Sequence, residues 1–232
     1  MIGNIIHCPH GPHRNACWES FKKLANSLPQ KEHSPFPEIT FITYNNRGGQ
    51  CLAENSFIHF GFKNWMVLSK DCQKWTWMCK ITPAIDFLKK CNTQYVCAID
   101  GDDCVVYDPT KLLDKYKKYN CDMLFGNTPV DYPPDPECRS FERSVYTGIK
   151  PHLNATYIGK TKTILEILIE VEKLGNEGWE WTKGEERTFH DQRTLRHLHK
   201  KYYPRLMVDY QQNIFTRIDE IFLRYKNLIP LL

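Results

Sequence analysis

A chain of 232 residues, 41% hydrophobic and 25% charged, is long enough for one substantial α/β core and too short to need two. Its formal net charge of +4 suits phosphate-bearing ligands and falls well short of what a protein that coats nucleic acid carries. No apolar run approaches the roughly 20 residues that span a bilayer, and the opening MIGNIIHCPHGPH has neither a basic n-region nor an apolar h-region, so a soluble, cytoplasmic protein is expected.

Residues 1–37 read as an extension: a short amphipathic helix from about Trp18 to Leu28, then the proline-punctuated stretch SLPQKEHSPFP. Residues 38–232 read as a single catalytic domain. It opens with the strand EITFITY, the turn NNRGG, a helix from about Gln50 to Phe60 and the strand NWMVLS, which together make a βαβ unit. ITPAIDFLKKC repeats the helical pattern. QYVCAID is apolar almost throughout, the mark of a central strand covered on both faces by helices. A helix opened by DPTKLLDKYKKY follows, with Asp108 as its cap before Pro109, and then the strand CDMLFG. A long polar, proline-rich loop runs from about Asn127 to Pro151, a length that loops with a function often have. The strand LNATYIG, the helix KTILEILIEVEKL, a Gly- and Trp-containing loop, the helix HDQRTLRHLHKKY and a last strand pair near LMVDY and NIFTRI complete the core, and IFLRYKNLIPLL forms an apolar tail. The predicted class is α/β, a mixed, mainly parallel sheet with helices on both faces. Of the ten cysteines, Cys79, Cys91, Cys97, Cys104 and Cys121 fall inside apolar helix and strand patterns, which predicts reduced, buried thiols.

Residues just past the carboxyl end of a central parallel strand face the ligand crevice, and Asp100, Gly101, Asp102 and Asp103 hold that place. Three carboxylates so close repel one another and call for a compensating cation, and their oxygen chemistry favours a hard ion such as Mg²⁺ or Mn²⁺. Such an ion bridges carboxylates to a diphosphate. An acidic turn with a helix cap is the plainer reading of the same residues.

The segments YVCAIDGDDCVVYDP, LNATYIGKTKTILEILIEVE and FHDQRTLRHLHKKYYPRLMVDYQQNIF resemble a GT-A-fold glycosyltransferase, and more narrowly the glycosyltransferase domain of the procollagen lysyl hydroxylases and related proteins. The resemblance runs from about Ile39 to Arg217 and implies a Rossmann-like fold. In that family an Asp-x-x-Asp pair binds metal, which falls on Asp100 and Asp103, whereas the general Asp-x-Asp pattern selects Asp100 and Asp102. Asp191, preceded by His190 where the family has a second acid, is the implied acceptor-side carboxylate. Asn154, Ala155 and Thr156 are implied to line the sugar pocket, and Thr43, Tyr44 and Arg47 to hold the nucleotide, with Tyr44 stacking on the base and Arg47 meeting phosphate. Of the family's Gly-Gly-Gln-Lys segment only Lys80 is kept, and its metal-binding His in a His-Gly-Asn-Gly stretch has no counterpart.

The resemblance thus implies a metal-dependent hexosyltransferase using Mn²⁺ or Mg²⁺, with a nucleoside-diphosphate sugar (UDP-sugar) as donor. The hydroxyl acceptor is open among a protein hydroxylysine, a glycan and a hydroxylated DNA base. A basic helix bearing Arg193, Arg196, His197, His199, Lys200, Lys201 and Arg205 offers a DNA contact, for which Arg196, Lys200 and Lys201 are the candidates; a solvated helix face is the plainer reading. His7, Cys8, His10, His13 and Cys17 are zinc-ligand types in a spacing that fits no common finger. Trp75, Trp77, Trp179 and Trp181 sit in loops beside strand ends, where they can stack on rings or fill core. Two other classes remain: a nucleotidyltransferase, for which only NNRGG approaches the needed phosphate loop, and a non-catalytic carbohydrate- or nucleic-acid-binding module.

Overall fold

The computed structural model describes residues 3–7, 37–147, 151–178, 181–183 and 186–217. The predicted helix from Trp18 to Leu28, the residues Cys8, His10, His13, Cys17 and Trp179, the side chain of Trp181 and the apolar tail lie outside the described residues. In chain order the elements are β1 (Ile5–His7), β2 (Ile39–Tyr44), α1 (Leu52–His59), β3 (Trp65–Leu68), α2 (Met78–Leu88), β4 (Tyr95–Asp100), β5 (Cys104–Val106), α3 (Leu112–Lys117) and β6 (Met123–Thr128). They continue with α4 (Pro136–Val145), β7 (His152–Lys160), α5 (Thr161–Asn176), β8 (Trp181–Lys183), β9 (Glu186–Thr188), α6 (Asp191–Tyr202), β10 (Leu206–Val208) and β11 (Phe215–Arg217).

Six strands form the main sheet in the order β10-β6-β7-β4-β2-β3. All its pairings are parallel except those of β7, which runs antiparallel to both β4 and β6. Side chains alternate across this sheet, as the two-residue period of a strand requires. From β4, Val96 and Ala98 pack with α2 and α5, while Cys97 and Ile99 pack with α1 and α3 on the opposite face. That two-sided cover is why QYVCAID is apolar throughout. The fold is therefore the expected mixed, mainly parallel α/β sheet between helix layers.

Four local expectations are corrected. The last two strands do not pair with each other: β10 joins the main sheet beside β6, and β11 joins a small sheet ordered β11-β1-β5. β1 lies in the stretch read as an extension, and its residues are buried between β5 and β11. The long loop contains α4, whose Asp135 caps it by accepting the Cys138 N–H at 3.0 Å, with Pro136 in the first turn. Asp108 caps no helix; its carboxylate accepts the Thr110 N–H at 2.9 Å, and α3 starts later.

The basic-helix expectation fails at Arg196, which is 0% exposed. Its guanidinium donates to both carboxylate oxygens of Glu142 on α4, at 2.9 and 2.7 Å, and to the Pro133 carbonyl at 2.8 Å, and pairs with Asp131 at 2.7 Å. Glu142 also meets His152 Nδ1 at 2.7 Å and accepts the Leu153 N–H at 3.1 Å. Arg196 therefore cannot reach a DNA phosphate. Lys200 and Lys201 are at the surface in ion pairs with Glu137 and Glu170, so acidic neighbours already offset the charge of that face. No described helix is long and apolar enough to cross a membrane. The eight described cysteines are free thiols, six of them buried.

Buried histidines make the fold acid-sensitive. His199 is 0% exposed, lies 2.7 Å from the Tyr146 hydroxyl, and burial lowers its pKa from 6.5 to about 4 against the opposing pull of Glu142. His190 is lowered to about 4 by burial and by Lys80. The unfolded chain takes up these protons near 6.5, whereas the folded chain resists them, so the histidines' contribution is complete above 6.5 and is lost as pH falls through about 4. The melting temperature is expected to fall over that interval, as the free energy of unfolding drops by up to about 1.4 kcal/mol per pH unit for each group. His199→Phe should flatten part of the slope, and a melting temperature independent of pH in wild type would contradict this account.

Candidate active site

β2 and β4 run parallel with Tyr44 opposite Asp100, so both strands deliver their carboxyl ends to one edge of the sheet. A cleft of about 670 Å³ opens there. Gly101 makes the turn possible: a Cβ at this position would stand 2.3 Å from the Tyr44 carbonyl oxygen, a contact only glycine avoids. The Gly101 carbonyl accepts the Ala53 N–H at 3.1 Å, which ties the acidic turn to the start of α1.

Asp100, Asp102 and Asp103 all line the cleft, and each has a basic partner from a different part of the chain. Lys80 of α2 donates to Asp100. Arg47 pairs with Asp102 at 2.6 Å, at a largely exposed site where the pair adds little stability. His7 of β1 lies 2.9 Å from Asp103, and both are buried. Lys80 and Arg47 thus offset part of the acidic cluster, and repulsion among the three carboxylates does not by itself demand a metal. The donor set still fits one: carboxylate oxygens from one turn face the cleft, and a hard divalent ion commonly takes one or two carboxylates and fills its other positions with phosphate and water oxygens.

Across the cleft stands Asp191, the first residue of α6, 2% exposed. Its carboxylate accepts the Gln192 N–H at 2.8 Å. Burial raises its pKa above the usual 3.8, with Lys80 pulling the other way and Asp100 adding to the rise. For Lys80, burial acts to lower the pKa, but the charges of Asp100 and Asp191 outweigh it and hold the ammonium above its usual range. One lysine therefore links the carboxylates of Asp100 and Asp191.

The other predicted residues divide. Tyr44 lines the cleft, but its ring belongs to the core, its hydroxyl lies 3.2 Å from that of Tyr157, and Lys80 Nζ sits 5.9 Å from the ring centroid. Asn45 shapes the loop that carries Arg47, donating to the Gly49 carbonyl at 2.9 Å and accepting the Arg47 N–H at 2.9 Å. Thr43 is buried, donates to the Ile99 carbonyl at 2.9 Å and does not line the cleft. Asn154 and Ala155 line it, whereas Thr156 does not. The Thr156 hydroxyl instead donates to Asn154 Oδ1 at 2.9 Å, above Gly126, where a Cβ would meet that hydroxyl oxygen at 2.2 Å. Thr43 and Thr156 are thus placed behind the residues that face the cleft.

Other lining residues are ones whose role the sequence leaves open, such as Trp77, or does not single out, such as Tyr132 and Arg217. Trp77 lies tilted against His190 with ring centroids 4.4 Å apart, and Tyr132 meets His190 edge-on at 5.4 Å, forming an aromatic ledge beside Asp191. Tyr132 comes from the long loop, whose length was the available hint, and is anchored by Gln192, which donates to its carbonyl at 2.5 Å. His7 and Arg217 enter from the small sheet. Among the described residues two groups bring three metal-ligand types together: His7, Asp103 and Cys104, and Asp135, Cys138 and His197. In the second, Asp135 caps α4 and pairs with Arg193 at 3.1 Å and His197 at 2.8 Å, which a helix clamp explains.

No protein-family model and no curated protein matches the chain. Among solved structures it is similar to 4-diphosphocytidyl-2C-methyl-D-erythritol synthase from Anaerococcus prevotii, with a TM-score of 0.41 and 11% identity over 83% of this chain and 96% of that one, an overlap too loose to carry a functional argument.

Proposed function

We propose that the chain is a metal-dependent glycosyltransferase that moves a hexose or similar sugar from a nucleoside-diphosphate sugar, with UDP-sugar as the expected donor, to a hydroxyl acceptor. The observation that carries this reading is a single cleft holding the carboxylates of Asp100, Asp102 and Asp103, the cations of Arg47 and Lys80, and the buried carboxyl of Asp191. Asp100, with Asp102 or Asp103, would hold Mn²⁺ or Mg²⁺, which supplies charge neutralisation for a departing diphosphate. Arg47 and Lys80 add fixed positive charge on the same side, and Asn154 faces the sugar. Asp191 takes the proton of the acceptor hydroxyl. The acceptor oxygen then bonds to the anomeric carbon as the bond from that carbon to the diphosphate oxygen breaks, and the nucleoside diphosphate leaves with the electron pair. Trp77, His190 and Tyr132 offer ring surfaces on which an acceptor can rest.

A screen of UDP-, GDP- and TDP-sugars with Mn²⁺, read as release of nucleoside diphosphate, tests the reaction. Because a general base must be ionised, activity should rise with pH through an apparent pKa above 3.8, and Asp191→Asn should remove that limb and lower kcat by about a hundredfold or more. A variant with an unchanged profile would exclude Asp191 as the base. A second reading, nucleotidyl transfer, draws on the Asn45–Gly49 turn, whose Arg47 lines the cleft at the end of β2. Release of pyrophosphate from a nucleoside triphosphate in the same screen would select it.

A further inference from the structure

We infer, resting on the glycosyltransferase reading of the site, that the acceptor is an uncharged sugar ring, seated on the aromatic end of the cleft with one ring hydroxyl turned toward Asp191. Among the described residues seven large apolar side chains are exposed, and three of them, Trp75, Val130 and Tyr132, line this cleft at 37%, 52% and 40% exposure. Apolar surface gathered at the mouth of a cleft marks a place where a ligand binds. Trp75 and Trp77 come from the segment between β3 and α2, whereas Val130 and Tyr132 come from the loop between β6 and α4. Trp77 and Tyr132 both reach the ring of His190, at 4.4 and 5.4 Å between centroids, and His190 directly precedes Asp191. The two sources of aromatic surface therefore meet beside the buried carboxyl.

The charge of this end selects among ring-bearing acceptors. Of the cations that line the cleft, Arg47 pairs with Asp102, Lys80 donates to Asp100, and Arg217 lies beside His7 in the small sheet. His190 is kept neutral by a pKa lowered to about 4. Farther along α6, Arg193 pairs with Asp135, Lys200 with Glu137 and Lys201 with Glu170, and Arg196 is buried. A nucleic acid needs cations to meet its phosphates, and those near the aromatic end are committed to carboxylates. A pyranose needs none: the C–H groups of its flat face pack on an aromatic ring, and the hydroxyls at its edge bond to carboxylate and amide groups. Asp191 and Gln192 line the cleft with such groups. Gln192 also fixes the platform by donating to the Tyr132 carbonyl at 2.5 Å, and Arg196 holds the Pro133 carbonyl at 2.8 Å. The ring hydroxyl gives its proton to Asp191, and its oxygen bonds to the anomeric carbon as that carbon's bond to the diphosphate oxygen breaks. The products are a glycoside longer by one sugar and the nucleoside diphosphate, which keeps the electron pair.

The test gives the full chain Mn²⁺, the UDP-, GDP- or TDP-sugar that it hydrolyses fastest, and one of three kinds of acceptor. These are the methyl α- and β-pyranosides of glucose and galactose, a hydroxylysine-bearing peptide, and duplex DNA with a hydroxymethylated base, each read as glycosylated product by mass spectrometry. At least one methyl pyranoside should be used with a kcat/KM about tenfold or more above that of the peptide and the DNA. Tyr132→Ala should raise the KM for that pyranoside about tenfold with kcat within about threefold of wild type, and Tyr132→Phe, which keeps the ring, should stay within about threefold on both. Thermal melts accompany the kinetics, and if Tyr132→Ala melts too low to measure, Trp75→Ala, at an exposed position, is read in its place with the same expectation. A kcat/KM for the peptide or the DNA at or above that of every pyranoside, or no transfer to any acceptor beside intact donor hydrolysis, overturns the inference and leaves the donor half of the reading standing. An unchanged KM in the alanine variant overturns the aromatic seat. Failure of wild type to release nucleoside diphosphate from any of the donors overturns the glycosyltransferase reading and this inference with it.

Discussion

Asp100→Ala is expected to reduce Mn²⁺-dependent release of nucleoside diphosphate by about a hundred- to a thousandfold, the range seen when a fixed electrostatic contact to developing charge is lost. Asp100 ends β4 where the acidic turn begins and accepts from Lys80, so its removal takes away the oxygen proposed to hold the metal and Lys80's hydrogen-bonded counter-charge together. The ammonium would retain Asp191 as its remaining strong attraction and shift toward the acceptor side. Asp102→Ala should cost less, because Asp102 and Arg47 meet at an exposed rim. Initial rates with Mn²⁺, alongside circular dichroism to show that each variant is folded, check the ranking. Asp100→Ala turnover within a few-fold of wild type would remove the acidic turn from the reaction.

Arg196→Ala should be the most damaging substitution for stability outside the cleft. The guanidinium and the Glu142 carboxylate are both 0% exposed, and deleting one partner leaves a buried charge uncompensated, at a cost of about 3–5 kcal/mol. For a chain of this size that corresponds to a fall in melting temperature of roughly 6–20 °C. The same residue holds Pro133 and Asp131, so the loop that brings Val130 and Tyr132 to the cleft should loosen, and the acceptor KM should rise with it. Urea and thermal melts decide the first part. A shift below about 2 °C would mean that solvent reaches the Glu142 carboxylate, contrary to its burial.

The pair Arg196 and Glu142 also explains where the sequence was hard to read. α4 escaped notice because its inward face holds Cys138 and Glu142, so no apolar period marks it. α6 was recognised as a helix, but its charges were assigned to the surface, because nothing local shows that Arg196 has a partner on another helix. β4 and the apolar stretches of β2 and β6 are legible for the opposite reason: strands buried on both faces carry long apolar runs, which in β2 and β6 are broken by Thr40, Thr43 and Asn127. The acidic turn could be found because it directly follows such a strand. Asp191 was reached through a family resemblance, and the structure sets it in the same cleft. Thr43 and Thr156 were expected at the ligand surface, and nothing in an alternating strand tells a hydroxyl facing a cleft from one bonded to its neighbour. His7 is legible in the sequence only as a zinc-ligand type and Arg217 not at all, because strands of three residues carry too little pattern, and their meeting depends on pairing between distant segments.

That pairing has a consequence for how the protein matures. During synthesis β5 emerges with the acidic turn and can already receive β1 along one side, but β1's other side stays uncovered until residues 215–217 leave the ribosome. Contacts so remote along the chain close slowly, since they must first overcome the entropy of a very long loop. The sheet wall behind Asp103 is therefore among the last parts to set, and a nascent chain that has finished its main sheet up to β10 still lacks the strand that closes this wall.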